Sequence, residues 1–299
     1  MAAAAPKFVP SLKLRNILFA TDFSPCSENA LPYARVLAQR FGSTIHVLHV
    51  LPPEAPSAVP MDRAPLLDEQ RQVADNQMSR LLLRQPLKNV THEVLIERGP
   101  LWHVLEAVIK DRQIDLIVLG THGRRGLKKL VLGSVAEEIF RRATCPVLTI
   151  GPHVVPDGVA DGRIDCVLYA TDFSHGSMHA LPYAVGLARE NHSRIVLLHV
   201  LPCIDEVAPQ ALDNITESCR QQLLNLLPPA MAQACHPEAV VLFGAAAEAI
   251  LRIAAEQRAR LIVMGARRRP MVPALVHLPW ATAHRVVCEA PCPVLTVRS

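Results

Sequence analysis

The residues best suited to chemistry are Gly120-Thr121-His122-Gly123, followed nine residues later by Gly133-Ser134. Glycine has no Cβ, so the backbone N–H groups at such positions can approach an anion closely. Gly133-Ser134 stands where an apolar-periodic segment begins. A helix starting there would aim its unpaired N–H groups and its dipole at the same place, and Ser134 would add a hydroxyl. The implied chemistry is the cradling of phosphate groups. The pattern is neither a Walker A loop, since its Lys is missing, nor G-x-G-x-x-G, whose glycines are closer together. A tight turn followed by a helix N-cap would use the same residues, and the glycines alone do not separate these readings.

Two further positions point to a nucleoside. Asp22 closes an apolar run that reads as a first strand, where its carboxylate could accept hydrogen bonds from ribose hydroxyls. Capping the next helix is its other role, and Ser24 competes for that job. Val50 ends a second strand and offers its backbone N–H and C=O to an adenine edge. His122 could donate to a phosphate or simply fix its turn. Arg124, Arg125, Lys128 and Lys129 either attract polyphosphate or face solvent.

These residues need a frame, and the chain carries that frame twice. Ala-Thr-Asp-Phe-Ser occurs at 20–24 and again at 170–174, and Asn16–Pro52 matches Cys166–Pro202 at more than half its positions without a gap. Such a long period means two copies of a domain rather than a solenoid unit. Strands are expected at Asn16–Ala20, Thr44–Val50, Val90–Ile96, Leu116–Leu119 and Pro146–Ile150. One helix is expected from Ser24 to about Phe41, with others at about Pro65–Arg84, from Pro100 to near Asp111, and at Ser134–Arg142. The five prolines of Pro52–Pro65 require a loop. In the second half, strands are expected near Val167–Ala170, Ile195–Val200, Ala239–Phe243, Leu261–Met264 and Val294–Val297. Alternating strands and helices make a parallel α/β sheet covered on both faces, with ligands beyond the carboxyl ends of its strands. Gly151–Gly162, with two prolines and three glycines, reads as a linker. The domains are then residues 1–152 and 163–299, joined by 153–162.

Composition narrows the class. The 299 residues suffice for two cores, and a net charge of +4 without a basic-aromatic stripe argues against nucleic acid. No apolar run approaches a membrane span, and the N-terminus shows no secretory signal. The eight cysteines include no C-x-x-C and no zinc-like spacing, so they read as thiols of a reducing cytoplasm.

In combination these motifs resemble the universal stress protein family, as two such domains in one chain. The strand followed by Thr-Asp-Phe-Ser, the Leu-His-Val of the second strand, Gly-x-x-Gly-x9-Gly-Ser, and Cys-Pro-Val-Leu-Thr at 145–149 and 292–296 carry the resemblance over nearly the whole chain. It implies two flavodoxin-like (Rossmann-like) domains, each a five-stranded parallel sheet of order 3-2-1-4-5. It also implies ATP in the first, with Mg²⁺ able to bridge the phosphates. Carried over, the adenosine contacts are Ala20, Thr21, Asp22 and Val50. The phosphate contacts are Gly120, His122, Gly123, Arg124, Gly133, Ser134 and Val135. The resemblance further implies that the last strands, Pro146–Ile150 and Pro293–Val297, pair within the chain. The linker, about 35–40 Å when extended, allows this. Homodimerisation is left open.

The second copy departs from the motif. Gly265 is kept, but Arg268 stands for Gly123, and Trp280-Ala281 falls where Gly133-Ser134 was. Asp172 and Val200 remain, so a nucleoside-sized pocket without a phosphate cradle is expected. Arg267, Arg268 and Arg269 either form a solvated basic turn or bind an anion. His49 and His199, inside strands, read as hydrogen-bonded structural histidines. Glu137-Glu138 suits the positive end of a helix. With no nucleophile, base or metal cluster evident, at most slow ATP hydrolysis is expected. Two functions stand: a cytoplasmic, ATP-dependent stress-response module, or a non-catalytic protein-interaction module in which nucleotide binding is vestigial.

Overall fold

The structure is a computed structural model that describes residues 12–54, 64–121, 132–154, 163–203, 208–266 and 279–298. The chain divides into two compact units, one spanning Lys13–Pro152 and the other built mainly from His153 onward. The first contains β1 (Asn16–Ala20), α1 (Pro25–Glu28), α2 (Leu31–Phe41), β2 (Thr44–Leu51), α3 (Ala64–Arg84), β3 (His92–Arg98), α4 (Leu101–Asp111), β4 (Leu116–Gly120), α5 (Ser134–Arg142) and β5 (Val147–Ile150). The second contains β6 (Cys166–Ala170), α6 (His175–Met178), α7 (Leu181–Asn191), β7 (Arg194–Leu201), α8 (Pro209–Leu224), α9 (Pro229–Cys235), β8 (Glu238–Phe243), α10 (Ala246–Glu256), β9 (Leu261–Ala266), α11 (Pro279–Glu289) and β10 (Val294–Arg298).

Each unit holds a parallel sheet of order 3-2-1-4-5: β3-β2-β1-β4-β5 in the first and β8-β7-β6-β9-β10 in the second. β1 lies between β2 and β4, with Ile17 opposite Ile45 on one side and Leu116 on the other. β6 repeats this, with Val167 opposite Ile195 and Leu261. The crevice beyond the carboxyl ends of these central strands is therefore the switch point of each sheet. Central strands covered on both faces are apolar throughout. Ile17, Leu18, Phe19, Val167, Leu168 and Tyr169 are all fully buried.

The single helix expected from Ser24 to Phe41 is two helices. Pro32 has no N–H to donate, and its ring would collide with the carbonyl four residues back, so α1 stops and α2 restarts with Pro32 in its first turn. Pro182 divides α6 from α7 in the same way. β3 begins two residues later than the alternation suggests. Asn89 adopts a left-handed turn (φ +60°), and Val90 N–H bonds back to Leu87 O at 3.2 Å. The second unit also inserts a short helix, α9, before its β8.

Candidate functional site

The turn after β1 is held by a closed set of hydrogen bonds. Thr21 N–H continues the ladder to Leu48 O at 2.9 Å. Its buried hydroxyl pairs with Ser27 Oγ at 3.0 Å and accepts Phe23 N–H at 3.0 Å. His49 Nδ1–H donates to Thr21 O at 2.8 Å, which fixes the tautomer of that ring. Thr21 therefore has a protein partner for each of its polar groups. Phe23 sits at φ +59°, a conformation that a bulky residue adopts only when its surroundings compel it. Here Phe23 lies against His49, ring centroids 4.4 Å apart. His49 thus has the structural, hydrogen-bonded role expected of it.

This turn places Asp22 at the switch point, half-buried. Its Oδ1 accepts Ser24 N–H at 3.0 Å, and Ser24 Oγ in turn caps α1 by accepting Ser27 N–H at 3.2 Å. Ser24 therefore takes the capping job, and Asp22 braces it. Ala20 ends β1 and Val50 lies one residue before the end of β2, both half-buried on the same rim.

Gly120 closes β4. A Cβ there would lie 2.5 Å from Cys26 O and 2.8 Å from Ser27 N, so its missing side chain admits α1 against the strand. Beyond it, Thr121 N–H reaches Ile150 O at 3.0 Å, and Gly133 N–H reaches Thr121 O at 2.8 Å. Thr121 and Gly133 are thus held together. His122, Gly123 and Arg124 lie between them in sequence, outside the described residues, as do Arg125, Lys128 and Lys129. Gly133 is the N-cap of α5 (φ −59°, ψ 150°) with no side-chain cap. Ser134 and Val135 open the helix on its exposed side. The first-turn N–H groups have no acceptor within the helix and carry its positive end. Glu137 and Glu138 pair with Arg141 and Arg142 four residues on. The rim thus combines a carboxylate from the turn after β1, backbone from β2, and a helix N-terminus beside β4.

The second unit repeats the turn almost atom for atom. Thr171 Oγ1 meets Ser177 Oγ at 2.9 Å, Phe173 N–H meets Thr171 Oγ1 at 3.0 Å, and His199 Nδ1–H meets Thr171 O at 2.8 Å. A Cβ on Gly265 would lie 2.6 Å from Ser177 Cα. Above this turn opens a cavity of about 230 Å³, lined among others by Thr171, Asp172, Ser174, Val200, Met264 and Gly265. This is the pocket expected there. Arg267, Arg268 and Arg269 lie outside the described residues. α11 already begins at Pro279, so Trp280 falls within its first turn rather than before it.

Sequence reasoning missed Ser27 and Ser177, although they are among the positions that match between the copies. It also missed a network at the opposite end of the first sheet. His46 Nδ1 lies 2.9 Å from Glu93 Oε2, and Arg112 clamps Glu93 through two bonds of 2.9 and 2.8 Å. The Arg112 guanidinium is the main reason that the Glu93 carboxyl is lowered to about 2. The β2–β3 register sets His46 opposite Glu93, and the end of α4 brings in Arg112 as its C-cap.

A doubled 3-2-1-4-5 sheet with its crevice at the switch point defines a tandem flavodoxin-like α/β protein. The sequence model of the universal stress protein family matches residues 13–151 and 164–298, and the chain belongs to that family. It is 30% identical over 141 residues to a universal stress protein of Methanocaldococcus jannaschii, covering 46% of this chain and 81% of that one. It is 32% identical over 143 residues to universal stress protein A homolog 1 of Coxiella burnetii, covering 46% and 95%. A universal stress protein structure from Archaeoglobus fulgidus shares the fold over 95% of this chain and 98% of that one, with a TM-score of 0.69 at 22% identity. Among the described residues no helix is long and apolar enough to cross a membrane.

Proposed function

We propose that the chain binds one ATP in its first unit and acts as a nucleotide-dependent regulatory module of the stress response. The observation that carries this reading is the bond from Gly133 N–H to Thr121 O. It anchors the uncapped N-terminus of α5 at the carboxyl end of β4, next to the strand that delivers Asp22. An anion at that N-terminus gains backbone donors and the helix dipole. A ribose at Asp22 gains a charged acceptor, which makes for a stronger hydrogen bond than a neutral one. Val50 supplies backbone groups to the base. Ala20 closes the strand beneath, and Thr21, already satisfied internally, holds Asp22 in place. Gly120 keeps α1 against the floor, while Ser134 and Val135 present the first-turn amides. His122, Gly123 and Arg124 would complete the phosphate side.

Among the described residues no group of three or more His, Cys, Asp or Glu side chains is placed to hold a metal, so a Mg²⁺ would be carried by the phosphates themselves. Asp22, the carboxylate on this rim, is already bonded to the Ser24 amide. This reading includes at most slow hydrolysis. The second reading, an interaction module with vestigial nucleotide binding, draws on the second unit, which keeps the whole turn while its α11 opens on Pro279-Trp280.

The test is the nucleotide content of the purified chain. Acid release and chromatography should return one adenine nucleotide per chain after saturation with ATP. Two per chain would overturn the assignment to the first unit, and none would favour the interaction module.

A further inference from the structure

The turn of α6 carries a feature that its counterpart in the first unit lacks. His175 opens this helix and His179 closes it as the C-cap, one full turn later. His179 N–H bonds to His175 O at 3.2 Å, so the spacing is fixed by the backbone. Both side chains are exposed, their ring centroids are 4.3 Å apart, and the planes are inclined by 53°. The two Nε2 atoms are nearer than the centroids, at 3.2 Å, so the rings converge on their nitrogen edges.

We propose that His175 and His179 form a bidentate site for a divalent transition-metal ion that accepts imidazole nitrogen, such as Zn²⁺, Ni²⁺ or Cu²⁺. With metal–nitrogen bonds of about 2.0–2.1 Å, a bite of 3.2 Å corresponds to an N–metal–N angle of roughly 100°. This lies between the octahedral and tetrahedral ideals, so neither ring has to move far. In the apo protein one ring N–H can donate to the other ring's Nε2, and the metal takes the place of that proton. Hard cations such as Mg²⁺ and Ca²⁺ prefer oxygen and are excluded by the donor set.

The site is preformed. Ser177, between the two histidines, is buried, and its hydroxyl meets Thr171 Oγ1 and donates to Ser174 O at 3.0 Å. The turn is pressed onto Gly265, where no Cβ would fit. A rigid turn loses little freedom on binding, which favours chelation. Among the described residues no third His, Cys, Asp or Glu joins the pair, so water fills the remaining positions. The first unit has Pro25 and Asn29 at the matching places of α1 and cannot chelate there.

That difference supplies conservative variants, because Pro and Asn already fit this turn in the first unit. The full chain is titrated with Ni²⁺ by equilibrium dialysis, alongside His175→Pro and His179→Asn. The wild type should bind a Ni²⁺ that each variant binds at least about tenfold more weakly, a loss seen even when only supporting partners of a metal site are removed. Circular dichroism should be unchanged. Equal Ni²⁺ binding by wild type and both variants would overturn the proposal, as would no uptake by the wild type at micromolar Ni²⁺. Should both variants misfold, the wild type loaded with substoichiometric Cu²⁺ decides. An electron paramagnetic resonance spectrum with two imidazole nitrogens is expected, and one nitrogen or none refutes it.

Discussion

Gly120 faces the carbonyl oxygen of Cys26 so closely that an added Cβ would lie 2.5 Å away. Gly265 meets the same obstacle in the second unit, where the matching atoms belong to Gly176 and Ser177. The second unit has lost the other glycines of the loop but kept this one. The first glycine of the Gly-x-x-Gly motif therefore has a packing role that does not depend on any phosphate. Gly120→Ala and Gly265→Ala should each destabilise their unit by about 1–3 kcal/mol through overpacking against backbone. Urea denaturation of the two variants checks this. A costly Gly120→Ala beside a neutral Gly265→Ala would show that the shared contact is not what makes these positions glycine.

Asp22 and Asp172 occupy equivalent turns, yet only the first stands beside a helix opened by Gly133-Ser134. Asp22→Ala should weaken ATP binding by about 1–3 kcal/mol, the range for losing a hydrogen bond to a charged group. Asp172→Ala should leave ATP affinity nearly unchanged, and Gly133→Trp should abolish binding by filling the phosphate position. Isothermal titration of the three whole-chain variants is the measurement. Equal losses from the two aspartate variants would contradict the asymmetry between the units.

The Arg112–Glu93–His46 network predicts a pH dependence. The Glu93 carboxyl titrates at about 2 in the folded state, below its ordinary 4.5, chiefly because Arg112 bonds to the ionised form. A depressed folded-state value means that the contribution to stability is present above pH 4.5 and is lost as pH falls toward 2. The Glu93 side chain is 40% exposed, so solvent screens the pair and the effect is roughly 0.5–1 kcal/mol. Glu93→Gln should lower stability at pH 7 by that amount and lose less than wild type on acidification to pH 3. Parallel acid losses in wild type and variant would assign the acid sensitivity elsewhere.

Burial pushes the Cys145 and Cys292 thiols up to about 12, and Cys203 is exposed. The thiolate is the reactive form, and access is required as well. In the native chain at neutral pH, iodoacetamide should modify Cys203 well before Cys145 or Cys292, as read by peptide mass mapping. Comparable rates at Cys203 and the buried Cys292 would mean that the core of the second unit opens far more readily than its packing implies.

The strands were legible because fully covered parallel strands leave uninterrupted apolar runs, as at Leu116–Gly120 and Leu261–Ala266. The break between α1 and α2 was legible in principle from Pro32, but the apolar spacing of Ala30, Ala34, Leu37 and Ala38 continues across it and masks it. On the rim, the placing of Asp22 after β1, of Val50 near the end of β2 and of Gly133-Ser134 at the start of α5 was readable from residue type and position. The left-handed Phe23 was not, since nothing local predicts φ > 0 for a phenylalanine. Phe23 packs against His49, 26 positions downstream, while its own N–H bonds to Thr21 Oγ1 within the turn. The true neighbour of Gly120 was likewise hidden, because it comes from another element of the sheet's rim.

Thr-Asp-Phe-Ser is engaged in bonds to its own domain in both halves, to nearly the same distances. A search keyed to that signature detects architecture and says little about cargo. Because this polypeptide keeps the signature in a half whose loop has diverged, it acts as its own control. Features shared by both copies report the scaffold, and features confined to one copy, such as Gly133-Ser134 or the His175–His179 pair, are where the two halves have specialised.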